Sequence, residues 1–429
     1  MSEKNGKLSV VMSMLKLRIG DSFFRVPLLG WLIGILIAVT LEHLLGDLLV
    51  DVLGLSKIPV LFGFVIMLKK PLLMPGVILY VLLIYIIPIS VVARLSAWPA
   101  NRLAARLLDF PIGFSVVIHL GLFYAALHMW SGISAYRVLT LKLTLIAIMV
   151  TLSLNVVNGY MGEFSCSHPG FMALGAYAAS VVTVVLFVND RLFGPALLAP
   201  VFGPFIFPVA LITGGVVAAL GALAIAIPSF RTRGDYLAII SLAFMFIIKS
   251  MIENLEFVGG PRGLSSQPDY ASLPVVFLWT IACIWMTNNF VQSILGKALN
   301  AVRDDEMAAN AMTVNTRRTK IVAFLFAAFW AGVAGGLFAH VLRYVNPATF
   351  GLQKLAEVLA MVYFGGLNSV YGSIVGAVSL SLLGEALRPL EIFKWIIIPL
   401  LLILVMIYRP TGLVAFKELN VRNLVKPKQ

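Results

Sequence analysis

Asp304, Asp305 and Glu306 stand together at the head of a polar, helix-forming stretch, where carboxylates offset the unpaired N–H groups and the positive dipole end of a helix. Ala308, Ala309 and Met312 follow and make a compact apolar surface flanked by Arg303, Arg317 and Arg318. Such a surface suits insertion into a groove on a soluble partner, and a connector lying on a membrane surface has the same pattern. A second set begins with Asn155 and Asn158, where an apolar run passes into Gly159-Tyr160-Met161-Gly162-Glu163-Phe164-Ser165-Cys166-Ser167-His168-Pro169-Gly170. The glycines and Pro169 interrupt a regular helix and leave backbone groups in need of partners. Breaks of this kind line substrate paths in transporters, although a buried turn without substrate contact reads equally well.

Charged groups inside apolar runs would mark ion-coupled transport, because burying one costs a few kcal/mol unless it is paired or solvated. The candidates are Glu42, His43, His119, His128, Lys249, Glu253 and Glu357. Lys249 and Glu253 are four apart on one helix face and read as an internal ion pair, and the two histidines of the third run read as packing or interfacial residues. Glu42, Lys249 or Glu253 would have to carry the coupling charge, without a carboxylate cluster behind it. The sequence has no phosphate-binding loop, no HExxH and no GxSxG elbow, so ATP hydrolysis by this chain alone or hydrolytic catalysis lacks its parts. Cys166 and Cys283 are too few for a disulfide scaffold or a metal site. The expectation is a non-enzyme without a bound metal or cofactor.

The elements that must position these residues are membrane helices. Sixty percent of the chain is hydrophobic, 12% is charged and mean hydropathy is +0.99, far more apolar surface than one soluble core hides. Apolar runs lie at about 28–50, 72–93, 110–130, 138–157, 170–190, 204–228, 235–257, 274–291, 320–342, 354–387 and 392–408. The 354–387 run would be about 51 Å long as one straight helix, well beyond the hydrocarbon core. Gly365-Gly366-Leu367-Asn368-Ser369 and Gly372 in its middle predict two shorter helices joined by a turn. The stretch from Ile58 to Leu68 is too short to cross and is expected at the interface or re-entering. Small residues at four-residue spacing, Gly214, Ala218, Ala222 and Ala328, Gly332, Gly336, predict close helix approach.

A net charge of +13 reports membrane orientation and not nucleic-acid binding, because the basic residues gather at run ends. Lys4, Lys7, Lys16, Arg18 and Arg25 precede the first run, which is too long and lacks the cleavage site of a signal peptide. Arg94, Arg102 and Arg106, then Arg231 and Arg233, the 292–320 island, and Arg409, Lys417, Arg422, Lys426 and Lys428 are expected on the cytoplasmic side with both termini. Lys69 and Lys70 fall outside on this scheme.

Several motifs in order carry a resemblance. Leu154-Asn155 to Gly159-Tyr160, Glu163-Phe164-Ser165, His168-Pro169-Gly170-Phe171 and Gly175-Ala176-Tyr177 resemble the signature of branched-chain amino-acid ABC permeases. Arg231-Thr232-Arg233-Gly234 with Tyr236, Gly259-Gly260-Pro261 with Gly263-Leu264, Ala301 to Asn315, Gly365-Gly366-Leu367 with Ser369, and Arg409-Pro410 with Gly412-Leu413 continue it over roughly 110–415. Residues 1–108 resemble the extension of the LivM-type subunits of that family. The resemblance implies an all-α polytopic bundle: a ten-segment permease core at 109–415, two N-terminal transmembrane helices in 1–108, and a basic cytoplasmic tail at 416–429.

The resemblance further implies a bacterial inner-membrane importer of leucine, isoleucine and valine. Its partners would be a second, LivH-type permease, two ATPase subunits of LivG and LivF type that use the ATP, a periplasmic binding protein and the surrounding lipid. A urea or short-amide permease shares the motifs. The coupling-helix role falls on Asp305, Glu306, Ala308, Ala309, Met312 and Val314, and the translocation path on Asn155, Asn158, Gly159, Glu163 and His168. Thr313 stands where the family has glycine, Cys166 and Ser167 where Leu-Gly is commoner, and Pro169 where a small residue is commoner.

Overall fold

The computed structural model describes residue 23 and residues 25–189, 193–230 and 236–428. Lys4, Lys7, Lys16 and Arg18, and the Arg231 to Gly234 motif, lie outside the described residues. The chain is an all-α, multi-pass membrane protein. Eight described helices are long and apolar enough to cross a membrane, and a ninth is a pair bent by 85°.

The described residues fold as two compact units, one within residues 1–138, 386–389 and 420–429, and the other within residues 139–385 and 390–419. The first contains α1 (Leu28–Val52), α2 (Pro71–Leu95), α3 (Ala97–Leu108) and α4 (Ile112–Gly132), with the start of α5 (Ala135–Met161) and the C-terminal α16 (Val421–Val425). The expected boundary at 108 would place α4 in the core, but α4 packs on α1 and α3, and the His43 ring on α1 meets the Met129 carbonyl at 2.8 Å. Pro88 has no N–H for the helix ladder, and the turn before it widens to a π-helix over Leu82–Ile86. The Ile58–Leu68 stretch forms short turns at Leu61–Gly63 and Phe64–Lys69.

The second unit is built on α6 (His168–Phe187), α7 (Pro200–Ser229) and α12 (Thr316–Leu342), which pack more densely on each other than any other elements. Glycine explains the approach. A Cβ on Gly175 would collide with the Gly332 backbone, and one on Gly332 with Ala218 and the Gly214 carbonyl. The two small-residue stripes therefore meet each other and α6. Around this core lie α8 (Tyr236–Glu253), α9 (Leu273–Gln292), α13 (Leu352–Gly365), α14 (Val370–Ala386) and α15 (Glu391–Tyr408).

The long 354–387 run is indeed two helices, α13 and α14. Gly365 backs onto Gly372 and Gly376, and Gly366 takes φ +128°, a conformation that side chains resist. Among the described residues, α4–α9 and α12–α15 follow α1–α3, with α10 (Ile294–Asp304) and α11 (Glu306–Ala311) between α9 and α12. A two-residue ribbon, β1 (Leu264–Ser265) antiparallel to β2 (Tyr344–Val345), interrupts the helical pattern. Gly263, at φ +80°, lies against the Val345 carbonyl, so the Gly-Gly-Pro-x-Gly motif shapes this ribbon.

Candidate functional site

The break after α5 is a hydrogen-bonded joint. Its last turn, Val156–Met161, is π-helical, and the Asn155 side chain just before it reaches across to another element. Asn155 Nδ2 donates to the Ser369 carbonyl at 3.0 Å and to Ser373 Oγ at 2.6 Å, while Oδ1 accepts from Asn368 N at 3.1 Å. One amide thus ties α5 to the turn between α13 and α14. Gly159 is obligatory because a Cβ there would overlap Asn155 Oδ1 and Asn368 N. Asn158 Oδ1 accepts from Ser165 N at 3.2 Å, Ser241 Oγ on α8 accepts from Cys166 N at 2.9 Å, and His168 is fully buried at the start of α6.

Glu163 leaves this joint and meets Lys320 on α12 at 2.7 Å. The same Nζ meets Glu306 on α11 at 2.8 Å. Lys320 is 10% exposed against 27% for Glu163 and 51% for Glu306, so its head is held more firmly than an ordinary surface ion pair. The two sets of residues that the sequence singled out, 304–314 and 155–168, are joined through one ammonium group. Gly162, at φ +76°, adds a second contact, since a Cβ there would overlap the Arg303 side chain.

α11 is capped at both ends. Asp305 Oδ1 accepts from Met307 N at 2.9 Å and Ala308 N at 3.0 Å, the N-cap expected of that acidic cluster. At the other end Thr313 N donates to the Asn310 carbonyl and Val314 N to the Ala309 carbonyl, each at 3.1 Å, a Schellman closure. Thr313 takes φ +67° there, adopting the left-handed turn that glycine normally supplies. Ala309 faces inward at 5% exposure, which corrects the expected apolar face. That face is Met307 and Met312, 80% and 77% exposed, with Ala308 and Ala311 between them.

Of the charged residues singled out in the apolar runs, Glu42, Lys249, Glu253 and Glu357 each meet an ion partner. Glu42 and Arg137 form a fully buried bidentate pair at 2.8 and 3.1 Å. Tyr80 and Tyr85 donate to the same carboxylate, and the guanidinium also reaches the Pro59 and Trp130 carbonyls. Lys249 and Glu253 pair at 3.7 Å, and Glu357 pairs with Lys354 at 3.1 Å. His119 bonds the Ser115 carbonyl one turn back, and His128 stacks on Tyr124. Among the described residues no three metal-ligating side chains converge.

Sequence reasoning missed Lys320 and Arg137. A lysine at the head of an apolar run and an arginine just before another are signals of a buried partner, but Glu163 lies 157 residues from Lys320 and Glu42 lies 95 from Arg137.

Residues 136–407 match the family model described as "Branched-chain amino acid transport system / permease component". The chain is 32% identical over 318 residues to the high-affinity branched-chain amino acid transport system permease protein LivM of Escherichia coli (strain K12), spanning 66% of this chain and 71% of that one. It is 31% identical to the LivM of Salmonella typhimurium over 63% of this chain and 68% of that one. The ribose import permease protein RbsC of Haemophilus influenzae is 23% identical over 52% of this chain and 67% of its own length. No solved structure matches the chain.

Proposed function

Because the chain belongs to the branched-chain amino-acid transport permease family, we propose that it is one permease subunit of an ATP-driven importer carrying leucine, isoleucine and valine across a bacterial inner membrane. The cargo rests on the two LivM relatives, since the ribose permease shows related sequence serving a sugar. Its partners are a second permease of LivH type, ATPases of LivG and LivF type, and a periplasmic binding protein. The clustering of basic residues beside α3, in the island and in the tail supports cytoplasmic termini.

The observation that carries the mechanism is the double ion pair of Lys320. α11 offers Met307 and Met312 to a groove on an ATPase, and Glu306, Lys320 and Glu163 pass its displacement to the joint after α5. Asn155 then moves the turn between α13 and α14. Closure of the ATPase dimer on ATP thereby changes the access state. Asn155, Asn158, Gly159, Glu163 and His168 belong to the translocation path on this proposal, at the joint that the displacement reaches. Ion coupling through Glu42, Lys249 or Glu253 is not favoured, since each is engaged in an ion pair.

Affinity purification of the tagged chain from its native membrane tests the assembly. Recovery of a second permease with two ATPases is expected, with loss of the ATPases alone on deleting 304–315. Isolation of the chain alone or as a homo-oligomer contradicts the reading.

A further inference from the structure

A cavity of about 400 Å³ lies within the second unit, walled by α5, α13, α14 and α15. It falls at the small end of small-molecule sites, which run from roughly 300 to 1,000 Å³. Its interior is aliphatic, with Ile146, Val150, Met361, Leu380, Ile398 and Leu402. Four charged residues also line it: Lys354 and Glu357 near the start of α13, Glu385 at the end of α14, and Lys394 near the start of α15. All four stand at the ends of their helices distal to the Asn155 joint. Lys354 Nζ pairs with Glu357 at 3.1 Å and lies 5.3 Å from the Phe338 ring centre.

We propose that this cavity is a resting site for the transported solute, taking a zwitterionic α-amino acid with a branched aliphatic side chain; this rests on the import reading above. Two cations and two anions beside an aliphatic interior match a ligand with one ammonium, one carboxylate and one apolar group. A divalent cation would need carboxylates without the lysines, and a free fatty acid would need lysines without the carboxylates. The floor connects with the coupling machinery. Thr151 Oγ1 reaches Met361 Sδ at 3.5 Å, and Asn155, one turn further along α5, holds the turn between the two helices that wall the cavity. A shift of that turn reshapes the site, giving a high-affinity state and a releasing state from one cavity.

The test uses the full complex of both permeases and both ATPases in nanodiscs without the binding protein, with radiolabelled leucine as probe. Saturable leucine binding is expected. Leucinamide and 4-methylpentanoate, each lacking one charge of the zwitterion, should compete at least about tenfold more weakly, as loss of a paired charge demands. Ala147→Phe, which fills the cavity, should abolish binding. Glu357→Gln, on a side chain 46% exposed and so harmless to folding, should weaken it about tenfold. Absence of saturable binding, binding unchanged in both variants, or displacement of a co-purified phospholipid instead of leucine in Ala147→Phe overturns the proposal. Binding-protein-dependent, ATP-driven leucine uptake by the same wild-type complex is measured in parallel. Normal uptake with failed binding removes the cavity site alone, whereas absent uptake removes the import reading itself.

Discussion

At the residue scale, the stability of the first unit hinges on Glu42 and Arg137. Both are fully buried, and a buried charge whose partner is removed costs about 3–5 kcal/mol. Glu42→Gln is therefore expected to lower the thermal unfolding midpoint in detergent sharply, and Glu42→Met with Arg137→Met to recover most of the loss. Thr313 gives an opposite case. Its φ of +67° strains a β-branched side chain, so Thr313→Gly should stabilise the end of α11 by about 1 kcal/mol. Hydrogen exchange at the Met312 to Val314 amides would register this as slower opening.

At the element scale, packing of α6, α7 and α12 depends on backbone approach at glycine. Gly332→Leu, which drives a side chain into Gly214 and Ala218, should abolish recovery of folded protein. Gly121→Leu on α4 should leave it unchanged, because a Cβ there meets nothing within 4 Å. For α11, Met307→Glu with Met312→Glu should remove the ATPases from the purified complex while the second permease remains. Loss of both together would instead indicate misfolding.

The helical segments were legible because hydropathy and length report membrane helices directly, and the division of 354–387 was legible because Gly365, Gly366 and Gly372 cluster in its middle. The N-cap at Asp305 was legible for the same local reason. Ala309 was misplaced because α11 is too short for its apolar residues to show which face is covered, and Met307, Ala308, Ala311 and Met312 face out while Ala309 faces in. The β1–β2 ribbon is two residues per strand and too short for any periodicity. Lys320 escaped because Glu163 lies 157 residues away, and local sequence carries no record of its meeting Glu306 and Glu163 at one point.

At the scale of the whole molecule, the proposed function has separate ATPases drive transport, with force entering at α11. On that proposal Ala308, Met307 and Met312 dock, Glu306 and Lys320 transmit, and Glu163 and Asn155 move the hinge that α13 and α14 share. Nothing in this path requires the chain to hydrolyse ATP. The most direct test is ATP-driven leucine uptake beside ATP hydrolysis in proteoliposomes holding the complete complex, with wild-type Lys320 and with Lys320→Met. Uptake is expected to fall about tenfold or more while hydrolysis continues, in line with coupling free energies of roughly 1–3 kcal/mol. Uptake per ATP hydrolysed that is unchanged in Lys320→Met would contradict the account.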